Sequence, residues 1–286
     1  MNKKKILVTG SDGFIGKHLV SALKGRGFSV YKFDKSQGYD ICRKDSFSSF
    51  LDKKIGTVFH LAGKTYVPDS WDQADVFYKV NTLGTQQVLE FCKETKAKLV
   101  YLSAYVYGAA QYLPIDENHA VDPSNPYSHS KLLAEQICRL YAEVMGVRVT
   151  VLRPFNIFGP GQRDCFLIPM ILKQIREQGR ITVKDSAPRR DYLYIDDLID
   201  ACLLAMKNLK GYRLFNVGSG AAFSVEEIIE IICRHYKRDI PWKSLKQARK
   251  NEIPETVANY RLINCELKWK PKINFKDGIK MTIEAG

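Results

Sequence analysis

The sequence predicts an α/β protein, a doubly wound parallel sheet with a smaller, mixed α/β domain at its C-terminal end. Three observations carry this expectation. Short apolar, β-branched runs recur through the first half, alternating with helical patterns. The first run ends in a glycine-rich turn that opens directly into a helix. Beyond Arg153 the texture changes, as Pro154, Gly159, Pro160 and Gly161 interrupt regular structure and shorter elements follow. The expected domains are 1–153 and 154–286, with the chain returning to the first around 191–217.

Ile6 to Thr9 reads as a buried strand ended by glycine. Gly10-Ser11-Asp12-Gly13-Phe14-Ile15-Gly16 follows, and Leu19, Val20 and Leu23 continue at helical spacing. Strand, glycine turn and helix together cradle a phosphate. Free backbone N–H groups and the positive helix end face the anion, where side chains would obstruct it. The spacing GxxGxxG departs from the GxGxxG of ordinary dinucleotide folds. A second strand, Val30 to Phe33, ends at Asp34, about 20 residues past the turn, where a carboxylate suits the ribose hydroxyls of adenosine. Its charge repels a 2′-phosphate, which favours NAD, while Lys32 and Lys35 nearby leave NADP open.

Further strands are expected at Thr57 to Ala62, Lys98 to Ser103 and Arg148 to Arg153, with helices at 75–94 and from Tyr127 onward. The second helix carries Leu133, Ile137, Leu140, Tyr141 and Val144, an apolar stripe fit for the sheet or for a partner helix. In the second half, Cys165 to Gln178 and Asp196 to Met206 read as helices. Tyr192 to Ile195 and Arg213 to Val217 read as strands. Ser224 with Glu227 forms a capping box for the next helix, and two short helices close the tail.

At 286 residues and 45% hydrophobic, the chain is able to bury a large core. A net charge of +13 raises the question of polyanions, yet the cationic residues are scattered and no nucleic-acid signature is present. That leaves a solvated basic surface or a small anionic substrate, with no nucleic-acid partner. Seven cysteines without a CxxC pair point to reduced, packed thiols in a cytoplasmic protein, and to no metal site. No apolar stretch reaches bilayer length, so no membrane association is expected.

Tyr127 and Lys131 stand one helical turn apart. An ammonium beside a phenol favours the phenolate, which suits acid/base chemistry near neutral pH. Taken alone, such a pair is more often a solvated surface pair.

The company it keeps is specific. TGSDGFIG (9–16), Asp40-Ile41, HLAG (60–63), Asn81 in NTLGT, LSAYVYG (102–108) and PYSHSK (126–131) occur in order. RPFNIFGPGQ (153–162), RRDYLYIDD (189–197) and FNVGSG (215–220) follow. This series resembles the extended short-chain dehydrogenase/reductases of the NAD-dependent epimerase/dehydratase family, which act on nucleotide sugars. The resemblance implies a Rossmann-type sheet, NAD as cofactor, a nucleotide-sugar substrate and a homodimer built on the helices near 75–94 and 127–146.

Residue by residue, the resemblance implies that Gly10, Gly13, Phe14, Ile15 and Gly16 seat the pyrophosphate. Asp34 would hold the ribose, and Asp40 and Ile41 would flank the adenine. Asp12, Leu61, Ala62, Gly63, Tyr127 and Lys131 complete the cofactor contacts. Ser103, Tyr127 and Lys131 match the catalytic positions, while Tyr105, Asn156, Arg190 and Arg249 match the substrate side. Arg249 lies in RKNE, a loose version of the family's pattern.

The 4,6-dehydratases carry an Asp-Glu pair where this chain has Ala104 and Tyr105, so dehydration is disfavoured. GDP-fucose synthases carry a cysteine at the place of Tyr105, which disfavours that double epimerisation too. The preferred reading is 4-epimerisation of an NDP-hexose through a transient 4-keto sugar, with Tyr127 as acid/base. The alternative is an NAD(P)H-dependent reductase of an NDP-4-keto-6-deoxyhexose, which the short stretch from Asp34 to Asp40 resembles. A non-catalytic NAD-binding protein would have no need of all three catalytic positions. His60 is expected to pack, His129 to be solvated, Asn81 to brace a loop and Cys165 to be a structural thiol.

Overall fold

The computed structural model describes residues 5–207, 210–237, 239–248 and 252–286. The chain divides into two compact units. The first comprises 1–108, 120–154 and 199–215, and the second comprises 109–119, 155–198 and 216–286. Two features depart from the expected boundaries. Residues 109–119 belong to the second unit, and the returning stretch in the first is 199–215 rather than 191–217. The physical reason lies in backbone pairing. Ile115 forms an isolated parallel bridge with Ala258, and Asn216 N donates to Glu117.

The first unit is built on β1 (Lys5–Thr9), β2 (Ser29–Phe33), β3 (Thr57–His60), β4 (Lys98–Leu102), β5 (Val149–Pro154) and β9 (Tyr212–Val217), in the order β2-β1-β3-β4-β5-β9. All pairings among β1 to β5 are parallel. Alternate residues show why these runs are almost wholly apolar. Leu7, Val58, Leu99 and Val151 join one core cluster, while Ile6, Val8, Phe59 and Val100 are buried as well, so both faces of the sheet are covered. The order reverses between β1 and β3, the switch point where such sheets open a crevice beyond their carboxyl ends. The stretch 44–53 forms tight 3₁₀ turns rather than a strand outside β2.

Helix α1 (Phe14–Gly25) follows β1. Helix α2 (Ala74–Phe77) runs through a π-helical segment, Tyr78–Leu83, into α3 (Gly84–Thr95). Helix α4 (Pro126–Glu143) starts where Asn125 Oδ1 accepts from Ser128 N at 2.9 Å and a proline takes the first helical place. Its buried face differs from the expected apolar stripe. Lys131, Ala134, Glu135, Cys138 and Tyr141 are buried, whereas Leu140 is 49% and Val144 71% exposed. Polar residues claim the inner face because each finds a buried partner there.

The second unit holds β6 (Asn156–Phe158), α5 (Leu167–Gln178), β7 (Ile181–Val183), β8 (Arg189–Tyr194) and the start of α6 (Ile195–Ala205). It continues with β10 (Ala222–Ser224), α7 (Val225–Tyr236), β11 (Trp242–Ser244), α8 (Arg261–Leu267) and α9 (Phe275–Glu284). Its small sheets run β10-β8-β6 and β11-β7. The capping box at Ser224 and Glu227 forms in full. Among the described residues no helix is long and apolar enough to cross a membrane.

Candidate active site

The turn after β1 has room only for glycine at two points. Gly10 has φ +70°, and a Cβ there would stand 2.6 Å from Ala62 N. A Cβ on Gly16 would stand 2.0 Å from Gly10 O, so the helix start packs directly against the turn. Gly13 caps α1 without any side-chain hydrogen bond, and no acidic residue occupies the first turn around Phe14 and Ile15. The leading N–H groups are thus aimed at an incoming anion.

Asp34 stands at the end of β2, and its Oδ2 accepts from Asp12 N at 3.0 Å. Its Oδ1 accepts from Ser36 N, which caps a short turn. Asp12 receives bonds from Lys32, from Ser36 Oγ at 2.6 Å and from Gln37 Nε2 at 2.7 Å. The bond from Lys32, followed by those from Ser36 and Gln37, holds the Asp12 carboxyl down at about 2. Leu61, Ala62 and Gly63 follow β3 directly, with Leu61 N on Thr9 O at 3.1 Å. Asp40 Oδ1 caps its own turn through Cys42 N, and Ile41 packs inward as part of the core cluster. A glycine cradle, a bare helix start and a carboxylate at the second strand end fit a dinucleotide.

The three positions expected to be catalytic lie in the same unit. Ser103 ends β4, with its N on Leu152 O at 2.8 Å. Lys131 is 5% exposed, and its Nζ donates to Leu102 O at 2.6 Å while lying 4.4 Å from the centre of the Tyr101 ring. Burial depresses its pKa to about 7. Tyr127, in the first turn of α4, packs edge-on against Phe77. Among the described residues its hydroxyl has no hydrogen-bond partner. The expectation that Lys131 favours the phenolate is not met, since burial pushes the Tyr127 phenol up and the lysine points one of its N–H groups at Leu102 O.

Beneath this set lies a polar layer. His60, 1% exposed, links Thr9 Oγ1 at 2.7 Å to Thr85 Oγ1 at 2.9 Å and stacks on Tyr101. Burial, with Lys131 nearby, lowers its pKa to about 3 and keeps it neutral. Asn81 braces the loop after β3: Oδ1 accepts from Lys64 N, and Nδ2 donates to Lys64 O and Ser130 Oγ. His129 is exposed and meets the Tyr78 hydroxyl at 3.0 Å. Cys165 is exposed, which sets it outside the packed thiols.

Two residues at this site had no place in the sequence reading. Glu135, 2% exposed, accepts from Ser103 Oγ and from Arg153 Nε at 3.0 Å and Nη2 at 2.5 Å. Arg153 also donates to Tyr107 Oη at 2.9 Å. Burial works against the Arg153 charge, but Glu135 overrides it and raises its pKa. Glu135 continues the four-residue spacing of Tyr127 and Lys131, a signal that was available in the sequence.

Tyr105 is committed internally, its hydroxyl donating to Gly108 O at 2.7 Å. In the second unit, Asn156 Nδ2 donates to Asp191 O at 3.0 Å. Arg190 pairs with Glu252 and donates to Arg189 O at 2.9 Å. Arg249 lies outside the described residues. Asp191, fully buried, gathers Ser219 N, Gly220 N and Ala258 N on its carboxylate and pins the FNVGSG loop.

A parallel sheet whose order reverses beside this glycine turn defines a Rossmann-like, dinucleotide-binding class of protein. The chain belongs to the NAD dependent epimerase/dehydratase family, whose model matches residues 6–218. It is 32% identical over 294 residues to a GDP-6-deoxy-D-mannose reductase of Pseudomonas aeruginosa, covering 97% of this chain and 95% of the relative. It is 31% identical over 315 residues to a UDP-glucose 4-epimerase of Lactobacillus helveticus, again covering 97% and 95%. Among solved structures it resembles MoeE5 in complex with UDP-glucose and NAD, with a TM-score of 0.88, 29% identity and 98% of each chain covered.

Proposed function

We propose that the protein is an NAD-dependent nucleotide-sugar 4-epimerase acting on an NDP-hexose through a transient 4-keto sugar. The observation that carries this reading is the gathering of Ser103, Tyr127 and Lys131 in the unit that also holds the glycine turn and Asp34. Tyr127 removes the proton from the sugar hydroxyl at Oη and returns it after the sugar turns over. NAD, when bound, accepts hydride from the sugar carbon and gives it back, and its ring charge favours loss of the Tyr127 proton. Lys131 grips the nicotinamide ribose, Ser103 holds the reacting oxygen, and Asp34 holds the adenosine ribose. Asn156, Arg190 and Arg249 bind the nucleotide diphosphate, where the planar guanidinium suits paired oxygens. Tyr105 packs beside the sugar. Dehydration is disfavoured because Ala104 carries no acid and the Tyr105 hydroxyl is held by Gly108.

A second reading is reduction of an NDP-4-keto-6-deoxyhexose, favoured by the likeness to the Pseudomonas aeruginosa reductase. The deciding experiment follows purified protein with UDP-glucose, UDP-galactose and their GDP-linked counterparts by NMR. The 4-epimer should form with no net NADH. Stoichiometric consumption of NADPH with a 4-keto-6-deoxy sugar, and none of the 4-epimer, would replace the first reading by the second.

A further inference from the structure

We infer that Glu135 is a positioning residue that sets the polarity of Ser103, so that the resting site receives a hydroxyl-bearing sugar and disfavours its ketone. This rests on the nucleotide-sugar reading above and narrows it.

The donors and acceptors around Ser103 fix the direction of its hydrogen bond. Glu135 is 2% and Arg153 5% exposed, and the guanidinium engages both carboxylate oxygens. A carboxylate in such a pair only accepts, and a guanidinium only donates. The hydrogen bond between Ser103 Oγ and Glu135 Oε1 must therefore use the single seryl proton. What Ser103 has left is lone pairs. An oxygen with only lone pairs welcomes a sugar O–H and meets a carbonyl oxygen with no proton to offer. Hydrogen bonds to a charged acceptor are the stronger kind, so the seryl proton does not turn away freely.

The arrangement is fixed from behind. Arg153 also donates to Tyr107 Oη at 2.9 Å and lies over the Tyr107 ring, so the guanidinium has little freedom to release the carboxylate. Ser103 itself is anchored through its N–H to Leu152 O. Glu135 reaches this point because it stands one turn beyond Lys131 on the buried face of α4.

The site thus discriminates at the level of ground-state binding. An epimerase meets an alcohol as its resting ligand, and a reductase meets a ketone. The polarity of Ser103 suits the first.

The test compares binding of UDP-glucose with that of UDP-4-keto-6-deoxyglucose by calorimetry, with NAD present, in Tyr127→Phe protein to prevent turnover. Glu135→Gln presents an amide N–H to Ser103 and reverses its polarity. The preference for the hydroxyl ligand over the keto ligand should fall about tenfold, the scale of one hydrogen bond. Glu135→Met combined with Arg153→Met removes both charges together, guards against misfolding, and should shift the preference the same way by less. In Ser103→Ala protein neither change should alter it. Equal weakening of both ligands, or the same shift without Ser103, overturns the inference.

Binding of neither ligand to the parent protein would instead count against the nucleotide-sugar reading. A ligand-free unfolding cycle over Ser103→Ala and Glu135→Gln then decides separately. Coupled effects on Tm support the contact, and strictly additive ones overturn it.

Discussion

In the first unit the groups that face the dinucleotide turn are backbone N–H groups and a carboxylate already held in place, as Asp34 is by Asp12 N and Ser36 N. In the second unit the side chains expected to meet the substrate are turned onto the protein itself. Arg190 is paired with Glu252, and Asn156 is bonded to the Asp191 carbonyl. One region is complete before its ligand arrives, and the other would have to exchange internal bonds for external ones to bind a substrate as proposed. Preorganised groups contribute their full interaction on binding, whereas exchanged ones contribute only a difference. Cofactor affinity should therefore depend on few residues and substrate affinity on a balance between competing partners.

Four substitutions break or sharpen this contrast, in descending order of effect. Tyr127→Phe should lower kcat by about 10³-fold while leaving the Kd for NAD nearly unchanged, because the general acid/base is lost and the glycine cradle is not. Stopped-flow and calorimetric measurements check the two halves, and normal turnover would remove Tyr127 from the chemistry. Arg190→Ala should weaken nucleotide-sugar binding by about 10- to 100-fold with cofactor affinity untouched. A matching loss for NAD would erase the division of labour between the two regions.

Asp34→Ala should shift the NAD over NADP preference by about tenfold toward NADP, read by fluorescence quenching. If the parent protein already binds NADP more tightly, the carboxylate does not have that role. The smallest effect is on stability. The folded pKa of Lys131 is lowered to about 7, against about 10.5 when unfolded, so between those values the unfolded chain carries a proton that the folded site has released. Stability from this residue accordingly rises with pH across that window. Lys131→Met should raise Tm by about 3 °C at pH 7, with the gain shrinking toward pH 10. A gain that is constant over that range would show that burial of the charge is not its source.

The sequence made most of the first unit legible because each element there depends on local chemistry. A glycine turn that side chains would obstruct and apolar runs of strand length declare themselves within a few residues. The inner face of α4 did not. Its hydrophobic spacing selected Leu133, Ile137, Leu140, Tyr141 and Val144, of which Tyr141 is buried, yet the buried positions also include Lys131 and Glu135, whose partners Leu102, Ser103 and Arg153 come from β4 and β5 and the residue after β4. Burial of charge is decided by partners remote in sequence, which periodicity does not register. The same holds for 109–119, whose place in the second unit follows from Ile115 meeting Ala258. Asn81 and His60, read as a brace and a packed side chain, do brace a loop and lie buried, although the partners that hold them are remote in sequence too.

The π-helical segment from Tyr78 to Leu83 carries a consequence for how this region tolerates change. A π turn spends one residue more than an α turn over the same arc. Ala74 to Thr95 is therefore a helix that absorbs one extra residue, and Asn81 sits in the turn that absorbs it. Deleting a single residue there would let the helix close into regular α geometry with its two ends still in phase, whereas deleting one from the α-helical turns that flank it would rotate everything on one side by about 100° relative to the other. Asn81 would then point away from Lys64 and Ser130, and the loop that begins at Gly63 would come unmoored from the helix bearing Tyr127. The irregular turn works as a vernier, setting the angle at which one asparagine ties the loop after β3 to α4.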